Sequence, residues 1–178
     1  MELLGQRLKT AALIGLALSF VAALALQRLA PDHVSLVVRA AGAMGAMAGV
    51  GAILSREVVL SGRYGGEMRI VGAHAIAFGV AGVLFGGAVF LGPSALAGMR
   101  ASGSGAPAGG TPAIAGVAFG LAVTIGASAM FFMYVGVLAK TPSLLMRAWG
   151  YVTLALGLGT MALGGLLIAG VAVMTLFR

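Results

Sequence analysis

The sequence predicts an all-α, polytopic transmembrane helical bundle, and three observations predict it. The first is composition: 61% of residues are hydrophobic and 8% charged, where an ordinary soluble domain carries roughly 25% charged residues. A water-soluble chain of 178 residues has too little polar surface to cover that much apolar area. The second is the stretch Ile70–Gly92, which holds no charged residue and lies between Arg69 and Pro93. As a helix it is about 35 Å long, enough to cross a bilayer core. The third is that several other segments repeat this plan.

In order, Met1–Thr10 carries Glu2, Arg7 and Lys9 and precedes the apolar run Ala11–Leu26. The basic start, the apolar stretch and the triplet Ala23-Leu24-Ala25 imitate a signal peptide. Because later segments need an anchor of the same kind, this run is expected to stay as the first span. Gln27–His33 is a polar break containing Arg28, Pro31 and Asp32. Val34–Leu54 is the second span. Arg39 interrupts it near one end, where a long cationic side chain can snorkel to the interface. A four-span alternative leaves Val34–Leu54 re-entrant or interfacial.

Ser55–Arg69 is the most charged stretch, and its Gly65-Gly66 pair marks it as a loop. Ile70–Gly92 is the third span, ended by a proline that a helix does not readily continue through. Residues 93–112 are Gly/Ala/Ser/Pro-rich with Arg100 the one charge, a flexible connector by composition. Ala113–Ala139 is the fourth span. Thr141-Pro142 resembles a helix cap followed by proline at the first helical position. It predicts a short interfacial helix over Ser143–Ala148, with Arg147 and Trp149 at headgroup level. Tyr151–Phe177 is the fifth span. The chain is thus one integral membrane domain.

Eleven Lys+Arg against four Asp+Glu give a net charge of +7. The cations sit in ones and twos at the ends of apolar runs, which fits orientation by positive loops rather than nucleic-acid binding. With five spans and a cytoplasmic N-terminus, Arg7, Lys9, Arg56, Arg63, Arg69, Lys140 and Arg147 are inside and Arg28, Arg39, Arg100 and Arg178 outside, seven against four. Four spans with an external N-terminus give the same count. Both place 55–69 and 140–150 in the cytoplasm and 93–112 and the C-terminus outside. Arginine outnumbers lysine, and Ala and Gly dominate; the expected location is a bacterial cytoplasmic (inner) membrane.

Chemistry is constrained mainly by exclusion. There is no cysteine, hence no disulfide, thiolate metal site or iron–sulfur cluster. Glu2, Asp32, Glu57 and Glu67 all lie in termini or loops, whereas ion-coupled transport usually uses a carboxylate at membrane depth. The hydroxyls within the spans lack a base at helical spacing, and Gly126-Ala127-Ser128 lacks the second glycine of a nucleophile turn, so no catalysis is expected. His74 is the one cofactor candidate. Near the start of its span and beside small residues, a neutral imidazole there suits haem iron or a chlorophyll-type magnesium, or else a simple hydrogen bond. His33 falls at the opposite side. No other cofactor and no metal site is read.

Spacing is informative for packing. Gly116, Gly120, Thr124 and Ser128 recur every four residues, and Thr153, Gly157, Thr160 and Gly164 follow a four-three-four pattern. Gly45/Gly49 and Gly82/Gly86 are GxxxG pairs, and Gly72, Gly79 and Gly86 form a seven-residue series. Small residues let helices approach closely within the chain or against other subunits. The expected function is therefore a non-catalytic accessory, structural or assembly subunit of a larger membrane complex, with lipid and other membrane subunits, or a second copy, as partners. The alternatives are a small oligomeric channel or transporter for an uncharged or anionic solute, with Arg39 as selectivity candidate, and a pigment- or haem-binding subunit using His74.

Overall fold

The computed structural model describes residues 2–29, 33–61, 67–103, 110–140 and 142–176. Its elements are α1 (Glu2–Leu29), α2 (Val34–Ser55), β1 (Glu57–Ser61), β2 (Glu67–Val71), α3 (Ala73–Gly103), α4 (Thr111–Leu138), α5 (Leu144–Leu154), a π-helical segment (Ala155–Gly159) and α6 (Thr160–Leu176). Among the described residues five helical stretches are long and apolar enough to cross a membrane: Leu3–Gln27, Val34–Ser55, Ala73–Ala97, Thr111–Leu138 and Leu144–Leu176. The shortest has 22 residues, about 33 Å at the α-helical rise against a hydrocarbon core of about 30 Å. Val34–Ser55 is one unbroken helix packed between α1 and α3.

Among the described residues the helices form an open row, α1–α2–α3–α4–α6, rather than a closed bundle. Each packs on its sequence neighbours, and α1 does not touch α6. The periodicity of α2 explains this. Gly42, Ala46, Gly49 and Ile53 meet α3, while Met44, Gly51 and Ser55 meet α1. The two sets are offset by two residues, about 200° around a helix, so the neighbours lie on nearly opposite sides.

Small residues fill these interfaces. Among the described residues the buried apolar ones are alanines apart from Ile70, and no large side chain is fully buried. Large apolar groups point outward instead, with Phe20 66% and Leu167 70% exposed. Helices α4 and α6 carry no charged residue, and a helix apolar all round belongs in a protein core or a membrane.

Three boundaries differ from the sequence expectation. First, Ser55–Arg69 is not a plain loop. Strands β1 and β2 pair antiparallel, with Glu57 opposite Val71 and Val59 opposite Arg69, and Ile70, expected to open a span, is buried in β2 at 3% exposure. The Val58-Val59 and Ile70-Val71 pairs supply the β-branched residues that favour strands; Arg63 and Gly65-Gly66 lie outside the described residues. Second, α3 runs through Pro93 to Gly103. Pro93 offers no N–H to the Val89 carbonyl, yet Ala95 beyond it is buried, so packing carries the helix on. Third, α5 is continuous with the last span, and its cap is Ser143, whose hydroxyl accepts from the Met146 N–H at 3.4 Å. Thr141 lies outside the described residues.

The hairpin is tied down from α1 and α2. Lys9 Nζ donates to the Glu57 carbonyl oxygen at 2.6 Å, and the Ser55 hydroxyl donates to the same oxygen at 3.1 Å. The Arg69–Glu57 ion pair is longer, 3.7 Å, with the arginine side chain 68% exposed; it contributes less than about 1 kcal/mol.

Candidate functional site

The small-residue seams are the most developed feature. In the α2/α3 seam, Gly42, Gly45 and Gly49 face Gly79, Gly82 and Gly86. A methyl group on Gly49 would stand 2.5 Å from the Gly79 carbonyl oxygen and 2.6 Å from the Val83 nitrogen. One on Gly82 would meet the Gly49 Cα at 3.2 Å, and one on Gly45 the Gly86 Cα at 3.6 Å. Backbone thus lies against backbone, the arrangement that gives apolar helices their dispersion contacts in lipid.

The α4/α6 seam is built the same way. A methyl on Gly120 would lie 2.5 Å from the Gly165 carbonyl oxygen, and one on Gly116 would lie 3.0 Å from the Ala172 Cβ. The Thr124 hydroxyl reaches the Gly120 carbonyl of its own helix at 2.9 Å and the Ala162 carbonyl of α6 at 3.1 Å. Its single proton is shared between them.

Other residues of the expected seams lie elsewhere. Gly72 precedes α3 in a left-handed turn, φ +69°, with nothing within 4 Å of the position a methyl would take. Gly157 and Gly164 likewise face open space. The Thr153 hydroxyl donates to the Trp149 carbonyl within its own helix at 2.9 Å, and Thr160 donates to the Leu156 and Gly157 carbonyls. For Gly164 the cause is the π-helical segment. A π turn holds one more residue than an α turn, which re-phases the following helix by about 100°. Gly165 therefore faces α4 where an unbroken helix would present Gly164. Sequence reading also missed Gly5 and Gly51, which bring α1 and α2 together: a methyl on Gly5 would lie 2.7 Å from the Ser55 nitrogen. Gly5 sits in the charged N-terminal segment, outside the apolar run that drew attention.

His74 is the second residue of α3 and is half-buried. It lines a shallow depression of about 320 Å³ between α3 and α4, together with Ala77, Thr124, Ser128 and Phe132. Ser128 thus belongs to this depression, with His74, as well as to the α4 stripe. A ligand entering here meets one imidazole and two hydroxyls, one of them already engaged. Among the described residues no group of three or more His, Cys, Asp or Glu could hold a metal ion. His33 precedes α2, at the opposite end of the row, because α2 and α3 run antiparallel.

Arg39 is exposed, and its Nη2 donates to the Ser94 hydroxyl at 2.8 Å. The bond ties the first turns of α2 to α3 one residue past Pro93. One row encloses no path through itself, so Arg39 stands on a rim. Comparison of the chain with protein-family models, curated proteins and solved structures finds no match.

Proposed function

We propose that this chain is a multi-pass membrane protein that acts as a non-catalytic accessory or assembly subunit, offering the uncovered faces of its row to other membrane subunits. One observation carries the reading: among the described residues the helices form a single open layer in which no large side chain is fully buried. A layer of this kind satisfies its backbone within each helix, as lipid requires, but leaves α1 and α6 with one neighbour each. Apolar helices of another subunit are the chemistry that fits those edges.

The charge distribution supports an orientation. Arg7, Lys9, Arg56, Arg69, Lys140 and Arg147 gather at the end of the row that holds the hairpin, and Arg39 marks the other end. By the positive-inside tendency the hairpin end is cytoplasmic, in the inner membrane of a bacterium.

Co-purification from native membranes in a mild detergent tests the proposal. The expected result is another polypeptide at fixed stoichiometry, captured also by photo-crosslinkers at Leu18 and Leu167. A homo-oligomer alone favours the channel or transporter reading, in which several rows close around a shared lumen. A monomer surrounded only by lipid contradicts both. An absorption band in the purified protein points instead to the pigment- or haem-binding reading through His74.

A further inference from the structure

Two cavities lie along one groove on a single face of the row. The first, about 510 Å³, opens between α1, α2 and the hairpin, and the second, about 500 Å³, lies between α1, α2 and α3. Their floor is one stripe of α2: Ala41, Gly45, Ala48 and Ala52 follow a four-three-four spacing. Their wall is one stripe of α1, where Gln6, Thr10, Leu13, Ala17 and Phe20 alternate steps of four and three. Residues so spaced share a helix face. Gly45 lies midway, with Leu16 of α1 and Gly86 of α3 both within 4 Å of the position a methyl would take. Leu13 and Ala48 end the first cavity, and Ala17 and Gly45, one helical turn on, begin the second.

The two ends of the groove differ in chemistry. At the hairpin end stand Lys9, Arg69, Glu57, Gln6 and Thr10. The remainder is apolar except for Ser19, whose hydroxyl donates to the Gly15 carbonyl of its own helix at 2.8 Å. Two cations and one carboxylate leave the mouth with a single formal positive charge. One of the three Lys9 N–H donors goes to the Glu57 carbonyl, and an ammonium has three. The Arg69 side chain lines the first cavity and is 68% exposed. From Leu13 to Ala23 the apolar part runs about 15 Å along α1, which is half of a hydrocarbon core about 30 Å thick.

We propose that this groove binds one anionic phospholipid, its phosphate at Lys9 and Arg69 and one acyl chain laid along the Ala41–Gly45–Ala48 floor. Charge complementarity selects the headgroup: a phosphodiester brings one negative charge to a mouth with one net positive charge. The floor carries no side chain larger than a methyl group at Ala41, Gly45, Ala48 and Ala52, and the apolar length matches one leaflet. The inference rests on the membrane insertion proposed above but not on a partner subunit.

The test uses the full chain, delipidated in mild detergent and titrated by native mass spectrometry with dioctanoyl phosphatidylglycerol, dioctanoyl phosphatidylcholine and inorganic phosphate. One phosphatidylglycerol per chain is expected, displacing bound phosphatidylcholine. Lys9→Gln and Arg69→Gln each weaken phosphatidylglycerol about tenfold, the loss of one charge-assisted hydrogen bond, and leave phosphatidylcholine unchanged. Ala48→Phe, which fills the floor, removes both lipids. Two glutamine variants at separate positions keep the test decisive if the phenylalanine variant does not fold. Equal affinity for the two lipids, competition by inorganic phosphate at the lipid's own concentration, or unaltered binding in both glutamine variants overturns the proposal. Release of the chain from carbonate-washed membranes would instead overturn the membrane reading itself.

Discussion

The backbone N–H of Gly72 donates to the carbonyl oxygen of Arg56 at 2.9 Å, and both residues are left-handed, with φ of +69° and +50°. Together they close the neck of the hairpin: Arg56 turns the chain out of α2 into β1, and Gly72 turns it from β2 into α3. A glycine takes this conformation freely, whereas a residue with a Cβ is penalised by about 1–2 kcal/mol. Gly72→Ala is therefore expected to loosen the neck by about 1 kcal/mol, and Arg56→Gly to be neutral or stabilising by up to about 1 kcal/mol. Hydrogen exchange of the Val58 and Ile70 amides reads both, in opposite directions.

The seams predict a graded response to added methyl groups. Gly49→Ala and Gly165→Ala place a Cβ against backbone oxygen or nitrogen, and each should destabilise by about 1–3 kcal/mol. Gly45→Ala meets only ordinary contact distances, and Gly164→Ala meets nothing; both should stay within about 0.5 kcal/mol. Unfolding by sodium dodecyl sulfate in mixed micelles supplies the comparison. Equal effects at Gly164 and Gly165 would contradict the helix phase described here.

How much of this was legible follows from what each signal measures. Apolar length located all five helices, because length and hydropathy are properties of one segment. A glycine spacing shows that a helix packs closely but does not name its neighbour, so the order of the row was not legible. The hairpin was obscured because Gly65-Gly66 and the charges of 55–69 dominate a stretch whose strand signal is two short β-branched pairs. Seen as an apolar residue next to an apolar run, Ile70 reads as helix. The re-phasing at Ala155–Gly159 has no composition of its own, and it moves the contact from Gly164 to Gly165. His74 and Ser128 fall on different spans, and only the α3/α4 seam brings them to one depression.

The π-helical segment yields a deletion test. It holds one residue more than an α turn, so removing Leu158 should convert it to α-helix while keeping α5 and α6 in register with α4. Removing Leu167, which lies between the two α6 residues that meet Gly120, should turn Ala169 away from Gly120. In the same detergent titration the first deletion should cost less than about 1 kcal/mol and the second several times more.

Polar links should be unequal. Thr124→Val removes the hydroxyl shared between α4 and α6 and is expected to lower stability by about 0.6–1 kcal/mol. Lys9→Ala removes the bond to the Glu57 carbonyl and should cost about 1 kcal/mol. Glu57→Gln breaks a long ion pair, 3.7 Å, whose arginine is 68% and whose carboxylate side chain is 18% exposed, and should change stability by less than about 1 kcal/mol.

The open row itself is tested most directly by a distance. The chain has no cysteine, so spin labels on Leu18→Cys in α1 and Leu163→Cys in α6 report one separation in reconstituted vesicles by pulsed dipolar spectroscopy. Four helix–helix steps of about 8–10 Å each predict a separation of about 32–40 Å. A separation near 10 Å, with α1 and α6 side by side, would mean that the helices close into a bundle, and would contradict the account.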